Sequence, residues 1–273
     1  MNKRRVVVLC DNETSRPSIG CEWGLSLAID LGPGDDGGLW LWDTGKTDLF
    51  LRNAVALGID VASARGLALS HGHYDHTGGL NALLAAGFRG SIHAHPACAQ
   101  ARYGADPGGP KPLGPPNPLP PFQAAQDVTR LAPGLTLLTN IPRQAGRFQA
   151  VERFSLDPQG NTPDTVPDDA FLLLESQSGP VVVLGCCHSG LANSLNALRG
   201  RLGIGQVFAV LGGLHLFEAG SAPLEETAQA LEEFQVAHLI CGHCTGPSRT
   251  DALRQRMTSR NVTALASGQI WEF

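Results

Sequence analysis

Three histidines and an aspartate fall within six residues, at His71, His73, Asp75 and His76. They lie between an apolar run ending at Leu69 and a glycine pair, Gly78-Gly79, that opens the next apolar run. A strand that stops, a short polar loop and a helix that starts directly after it suit a layered α/β fold whose strand ends face a cleft. In an extended loop, residues two apart project to the same side, so the imidazoles of His71 and His73 can reach one metal ion. Asp75 and His76 follow a turn and can address a second metal beside the first. The bland alternative is a polar loop that is merely rich in histidine, and four ligand-type residues at this spacing weigh against it.

The rest of the chain fits this frame. Short apolar runs and glycine-punctuated turns alternate, giving candidate strands at 5–9, 25–30, 39–43, 66–69, 91–94, 135–139, 170–175, 181–184, 207–211 and 237–240. Candidate helices cover 47–57, 79–86, 191–198, 223–234 and 248–257, the last capped by Ser248 with Asp251 three residues on. Residues 1–273 are expected to form a single domain, since 273 residues suffice for one large core. A Pro/Gly-rich insertion at about 104–122 cannot form helix or central strand and reads as a lid or substrate-facing segment. A second irregular stretch at about 144–167 could face the same cleft.

Composition narrows the partners. With 20 Lys+Arg against 25 Asp+Glu, the net charge is −5, and no long basic run marks a phosphate-backbone footprint. Nucleic acid is therefore not expected. Residues 6–10 are apolar but too short for a signal-peptide core, and no stretch approaches a membrane span, which reads as a cytoplasmic protein. Seven cysteines without a secretory signal suggest free thiols or metal ligands instead of a disulfide framework.

His71-Gly72-His73-Tyr74-Asp75-His76 resembles the HxHxDH signature of the metallo-β-lactamase superfamily, and Asp43-Thr44-Gly45 resembles its early strand-ending Asp-Thr-Gly. Further elements are similar to one group in it, named for 7,8-dihydropterin-6-yl-methyl-4-(β-D-ribofuranosyl)aminobenzene 5'-phosphate synthase. They are Glu22-Trp23-Gly24-Leu25-Ser26 (usually Glu-His-Gly-Leu-Ser), Gly185 to Gly190, Gly212 to Leu216 and His243 to Gly246. The resemblance implies a four-layer αββα sandwich, two mixed sheets flanked by helices, with a metal cleft at the sheet edge.

The later motifs also carry their own logic. His188 sits in the turn between a buried-type strand and a helix, where side chains and helix amides meet the rim of a cleft, and is a candidate ligand. Cys186 stands where many superfamily members carry a metal-bridging aspartate; it is either a ligand or a small buried residue. His243 follows an apolar strand and resembles the superfamily's final metal histidine, a satisfied core histidine being the alternative. Asp168 and Asp169 fall about where many members carry a ligand histidine in a Gly-His-Thr context, so either an aspartate, with Asp169 the candidate, or His188 completes the first site. His215 is read as a substrate-binding or supporting residue in preference to a ligand. Thr245 and the adjacent helix start are candidates for an anionic substrate group, as is Glu22 for fixing substrate. The Cys241–Cys244 CxxC is a weak signal on its own.

The expected function is a metal-dependent hydrolase acting on an ester, phosphodiester, thioester or lactone small molecule, with Asp75 and His215 catalytic. Two divalent ions are expected as cofactors, zinc first, with manganese, iron or nickel also compatible with the donor set. The synthase resemblance implies an alternative, a transferase joining a dihydropterin pyrophosphate to an aromatic amine. A third reading, from a different class, is a non-catalytic metal-dependent ligand sensor. The sequence leaves the oligomeric state open.

Overall fold

The computed structural model describes residues 3–33, 37–105 and 108–273, so residues 106 and 107 of the Pro/Gly-rich segment lie outside the described residues. Two seven-stranded sheets stack face to face. The first runs, in spatial order, Ile270–Glu272, Arg5–Cys10, Ser26–Asp30, Leu39–Trp42, Gly66–Ala68, Ser91–Ala94 and Gln123–Ala124. The second runs Asn261–Ala264, His238–Gly242, Ala209–Gly213, Gly179–Leu184, Phe171–Ser176, Leu135–Leu138 and Val128–Ala132. Both are mixed: the half holding Leu39–Trp42 through Gln123–Ala124, and the half holding Gly179–Leu184 through Asn261–Ala264, are parallel, and the other halves are antiparallel.

Strand alternation explains the layering. Val6, Val8, Trp40 and Trp42 point between the sheets and meet Leu172, Leu174, Val181, Val183 and Leu211 from the other side. Their neighbours Val7, Leu9 and Leu41 point outward and pack on Phe50, Ala54 and Leu83 of helices Leu49–Ala56 and Leu80–Ala85. On the opposite outer face, Val182, Leu184, Val210 and Leu239 receive Leu195, Leu198, Leu231 and Leu253 from helices Leu191–Leu202, Ser221–Glu233 and Pro247–Arg256. The period-2 pattern thus builds three apolar layers and an αββα order. Each fully buried Val or Leu side chain contributes roughly 1.5–3 kcal/mol.

Several boundaries differ from the sequence expectation for identifiable reasons. The strand expected at 207–211 is Ala209–Gly213, because its parallel ladder with His238–Gly242 continues through Gly212 and Gly213. The last helix is not capped by Ser248. Its N-cap is Gly246, at φ +76, and Pro247 fills the first turn, so Ser248 already lies inside the helix and Asp251 pairs with Arg254 instead. The strands Val128–Ala132, Asn261–Ala264 and Ile270–Glu272 go beyond the expected set. Among the described residues no helix is long and apolar enough to cross a membrane.

The two irregular segments meet. Tyr103–Gly104 pairs with both Phe154–Ser155 and Lys111–Pro112, a three-stranded antiparallel sheet that joins the proline-rich stretch to the 144–167 stretch. Arg102, buried at its root, lies 2.5 Å from Asp168 and 3.1 Å from Asp164. The second oxygen of Asp168 accepts the Gly72 N–H at 2.8 Å, tying this insertion to the histidine loop.

Candidate metal centre

Every side chain of the centre enters from the carboxyl end of a strand or the loop just beyond it. Asp43 follows Leu39–Trp42, Ser70 and His71 follow Gly66–Ala68, and Cys186 and His188 follow Gly179–Leu184. His215 follows Ala209–Gly213, and His243 follows His238–Gly242. Four of these corners hold non-glycine residues in the left-handed region: Asp43 (φ 58), Cys187 (φ 58), His215 (φ 49) and His243 (φ 50). Such conformations each cost on the order of 1–3 kcal/mol and persist where surrounding contacts over-determine them. Here they turn the chain sharply enough to aim one side chain after another into the same space.

The imidazoles converge. His71 Nε2 lies 3.0 Å from His73 Nδ1 and 3.2 Å from His188 Nε2, and His76 Nε2 lies 3.2 Å from both Cys186 Sγ and His243 Nε2. All five rings are buried. Two three-residue sets result, His71–Cys186–His188 and His76–Cys186–His243, sharing the Cys186 sulfur. His73 turns its Nδ1 toward the first set, and the Asp75 carboxylate lies 3.5 Å from His243 Nε2 and 4.0 Å from His76 Nε2, at the second.

Outer contacts fix which nitrogen faces inward. His76 Nδ1 meets Asp43 Oδ2 at 2.6 Å, His71 Nδ1 meets Ser70 Oγ at 2.8 Å, His188 Nδ1 meets the Ala150 carbonyl at 2.8 Å and His243 Nδ1 meets Asn12 Oδ1 at 3.0 Å. A proton on each Nδ1 satisfies these oxygens and leaves the Nε2 lone pairs pointing at one another, the arrangement of histidine ligands around a cation. Asp43 serves twice, since its two oxygens also accept the Ser70 N–H and O–H at 2.7 Å each.

The electrostatics agree. Burial, reinforced by the neighbouring imidazoles, pushes His71, His73, His188 and His243 well below the ordinary histidine pKa, so they are neutral donors. His76 is the exception: burial works against its charge, but Asp43 and Asp75 outweigh that and hold it up at about 9. Burial, with the Cys244 sulfur beside it, keeps the Cys186 thiol well above its usual value.

The centre forms the floor of a cavity of about 560 Å³. His73, Asp75, Cys186, His215, His243 and Cys244 line it from below, and Trp23, Tyr74, Phe148, Phe154 and Phe217 form its walls. Phe148 through Phe154 come from the 144–167 stretch, which therefore faces the cleft, as does Leu113 of the proline-rich segment.

Three further candidates from the sequence are engaged in hydrogen bonds to the backbone. The Glu22 carboxylate accepts the backbone N–H groups of Lys46 and Thr47 and the Thr47 hydroxyl, which fixes the loop after Asp43. The Thr245 hydroxyl is fully buried and accepts the Leu214 N–H. The Asp169 oxygens accept the N–H groups of His188 and Ser189 at 3.0 and 2.7 Å, so Asp169 shapes the His188 corner and belongs to neither three-residue set. Conversely, sequence reasoning gave no role to Asn12 or Ser70, and the CxxC spacing gave only a faint sign of Cys244, which lies within 4.8 Å of the Cys186 and His215 ligand atoms. His93 and His95 bond to Ser91 and Asn140, away from the centre.

Comparison with known proteins agrees with this geometry. The profile of the metallo-beta-lactamase superfamily matches residues 25–185. A curated relative from Methanocaldococcus jannaschii, 7,8-dihydropterin-6-methyl-4-(beta-D-ribofuranosyl)-aminobenzene-5'-phosphate synthase, is 27% identical, with 82% of this chain and 81% of that protein covered. The crystal structure of Tm1679, titled a metal-dependent hydrolase of the beta-lactamase superfamily, superposes with a TM-score of 0.84 at 26% identity over 99% of both chains. The metallo-beta-lactamase fold protein YhfI from Bacillus subtilis, at 14% identity and a TM-score of 0.60 over all of both chains, shares the fold.

Proposed function

The chain belongs to the metallo-β-lactamase superfamily, and from that premise we propose that it is a dinuclear metallohydrolase acting on a small-molecule ester, phosphodiester, thioester or lactone. The observation that carries this reading is the pair of donor sets on the cavity floor, His71–Cys186–His188 and His76–Cys186–His243, joined through one sulfur. The donor chemistry fits divalent cations: neutral imidazole and thiol groups suit zinc first, and manganese, iron or nickel also find compatible nitrogens. His73 joins the first position and Asp75 the second.

Two cations held there would lower the pKa of a shared water toward neutrality and polarise a carbonyl or phosphoryl oxygen. The protein's own groups do the rest. Asp75 lines the cavity beside the second set, where its carboxylate orients the attacking water by accepting its hydrogen bond. His215 faces the cavity from the corner after Ala209–Gly213, in the other sheet. Burial opposes a charge on it, but the Cys244 sulfur and the Asp75 and Asp169 carboxylates outweigh burial and raise its pKa, which suits a donor of a proton to the leaving group. The aromatic walls exclude bulk water and hold the apolar part of the substrate.

A second reading rests on the relative of 27% identity, named as a synthase: the same floor would bind a dihydropterin pyrophosphate, and an aromatic amine would displace pyrophosphate in place of water. The two readings separate on one assay. Metal-loaded protein is incubated with phosphodiesters, thioesters, lactones and dihydropterin pyrophosphate, with and without an aromatic amine. Product without the amine supports hydrolysis; a strict amine requirement supports transfer. The dinuclear reading itself fails if metal content is unchanged in His71→Ala, His76→Ala and His243→Ala.

A further inference from the structure

One further cluster on the cavity wall shares only Cys186 with the two donor sets. Cys244 Sγ, a ligand nitrogen of His215 and Cys186 Sγ lie within 4.8 Å of one another. The three come from separate corners, after His238–Gly242, Ala209–Gly213 and Gly179–Leu184, so their convergence is a tertiary construction and no accident of sequence proximity. We propose that Cys186, His215 and Cys244 form a third, sulfur-rich position that binds a thiophilic cation such as zinc, cadmium or copper(I).

Four features support the assignment. The Cys244 sulfur already accepts the His215 N–H at 3.3 Å, the kind of contact that stabilises a metal-bound thiolate. His215 Nδ1 is a buried ring nitrogen with no hydrogen-bond partner among the described residues. Gly213 keeps the space open: a Cβ there would lie 2.5 Å from Cys244 Sγ and 3.4 Å from Cys186 Cα. All three side chains also line the cavity, so a cation can reach them from solvent. Two sulfurs and one imidazole make a softer set than either nitrogen-rich position, and such a set selects thiophilic metals. The proposal rests on the dinuclear reading only in sharing Cys186. A cation held here would engage both that sulfur and the His215 imidazole, and so would inhibit turnover.

Cobalt(II) titration tests the position by the near-ultraviolet thiolate-to-cobalt charge-transfer band. With both sulfurs bound, the band of Cys244→Ser falls below that of the wild type because one thiolate is lost, to about half where Cys186 serves this position alone and by a smaller share where it also serves the dinuclear pair. Cys187→Ser, a buried thiol bonded to Ser194 and outside every set, leaves the band unchanged. A Cys244→Ser protein with the full wild-type band overturns the proposal, and if cobalt content still falls in His71→Ala and His243→Ala the dinuclear reading survives that failure. A halved band in Cys244→Ser with unchanged cobalt in those histidine variants upholds the sulfur-rich position and overturns the dinuclear one. A measurement on the wild type needs no variant to fold. Alkylation of Cys244, followed by mass spectrometry with exposed Cys21 as internal reference, slows about tenfold or more on cadmium loading if Cys244 is a ligand. Equal labelling of Cys244 with and without cadmium overturns it.

Discussion

Asp43→Asn in the metal-free protein isolates what one buried carboxylate does for the centre. Asp43 is fully buried, and its oxygens take the Ser70 N–H, the Ser70 O–H and the His76 Nδ1–H. Together with Asp75 it holds His76 at about 9 against an ordinary 6.5, despite burial. That difference of 2.5 units, at 1.36 kcal/mol per unit, corresponds to about 3 kcal/mol of folding stability. Because the folded-state pKa is raised, this contribution is complete below the unfolded value of 6.5 and is lost as pH rises through about 9. An asparagine carries no charge, so burial then drives His76 toward the neutral form, and the stability gap between wild type and variant should be up to about 3 kcal/mol larger near pH 6 than near pH 9.5. The amide also presents N–H to His76 Nδ1, which moves the ring proton to Nε2 and blocks the lone pair needed for a cation, for a loss of about 10–100-fold in metal affinity. Urea unfolding of chelator-treated protein at the two pH values, and zinc competition with a chromophoric chelator, measure both effects. Equal stability gaps at both pH values together with unchanged zinc affinity would refute the reasoning.

Other consequences follow from named contacts. Zinc loading near neutral pH should release about two protons, from His76 and Cys186, both held protonated in the metal-free protein, so binding tightens as pH rises toward about 9; heats measured in buffers of different ionisation enthalpy count the protons. Arg102→Met leaves Asp164 and Asp168 buried without their cation and should cost about 3–5 kcal/mol of unfolding free energy, a loss under 1 kcal/mol contradicting the buried-triad account. Gly72→Ala puts a Cβ 2.1 Å from the Cys98 carbonyl oxygen, a backbone clash worth about 2–3 kcal/mol and visible as a lower melting temperature with reduced metal content. His215→Gln should lower kcat about 10²–10⁴-fold on substrates with poor leaving groups and much less on activated ones, and equal losses on both would remove it as the proton donor.

The fold was legible where local pattern and global layering coincide. The residues of Val6-Val7-Val8-Leu9 and Val181-Val182-Val183-Leu184 are all apolar, and such runs announce strands buried on both faces, which is how they sit between the inner and outer layers. Val128–Ala132 has no such signature: it is an edge strand, mostly half-buried or exposed, and its pairing with Leu135–Leu138 is what makes it a strand. Ile270–Glu272 is likewise a strand because it meets Arg5–Cys10 from the far end of the chain, a contact that three residues cannot advertise.

The same distinction runs through the centre. His71, His73, Asp75 and His76 are close in sequence, so their spacing alone reveals a shared purpose. Asp43, Asn12 and Cys244 act through partners far along the chain, 33 residues from Asp43 to His76 and 231 from Asn12 to His243; parallel strand pairing within one sheet brings Asp43 to His76, and the stacking of the two sheets brings Asn12 to His243. Glu22, Asp169 and Thr245 show the converse. Each occupies a motif beside the cleft, where backbone N–H groups at the sharp corners need acceptors, and each side chain bonded to those amides holds its corner. The left-handed corners at Asp43, Cys187 and His215 each have one such acceptor beside them. The polar residues nearest the ligands thus take on two tasks, aiming imidazoles and satisfying strained backbone, while Asp75 and His215 turn their side chains to the cavity.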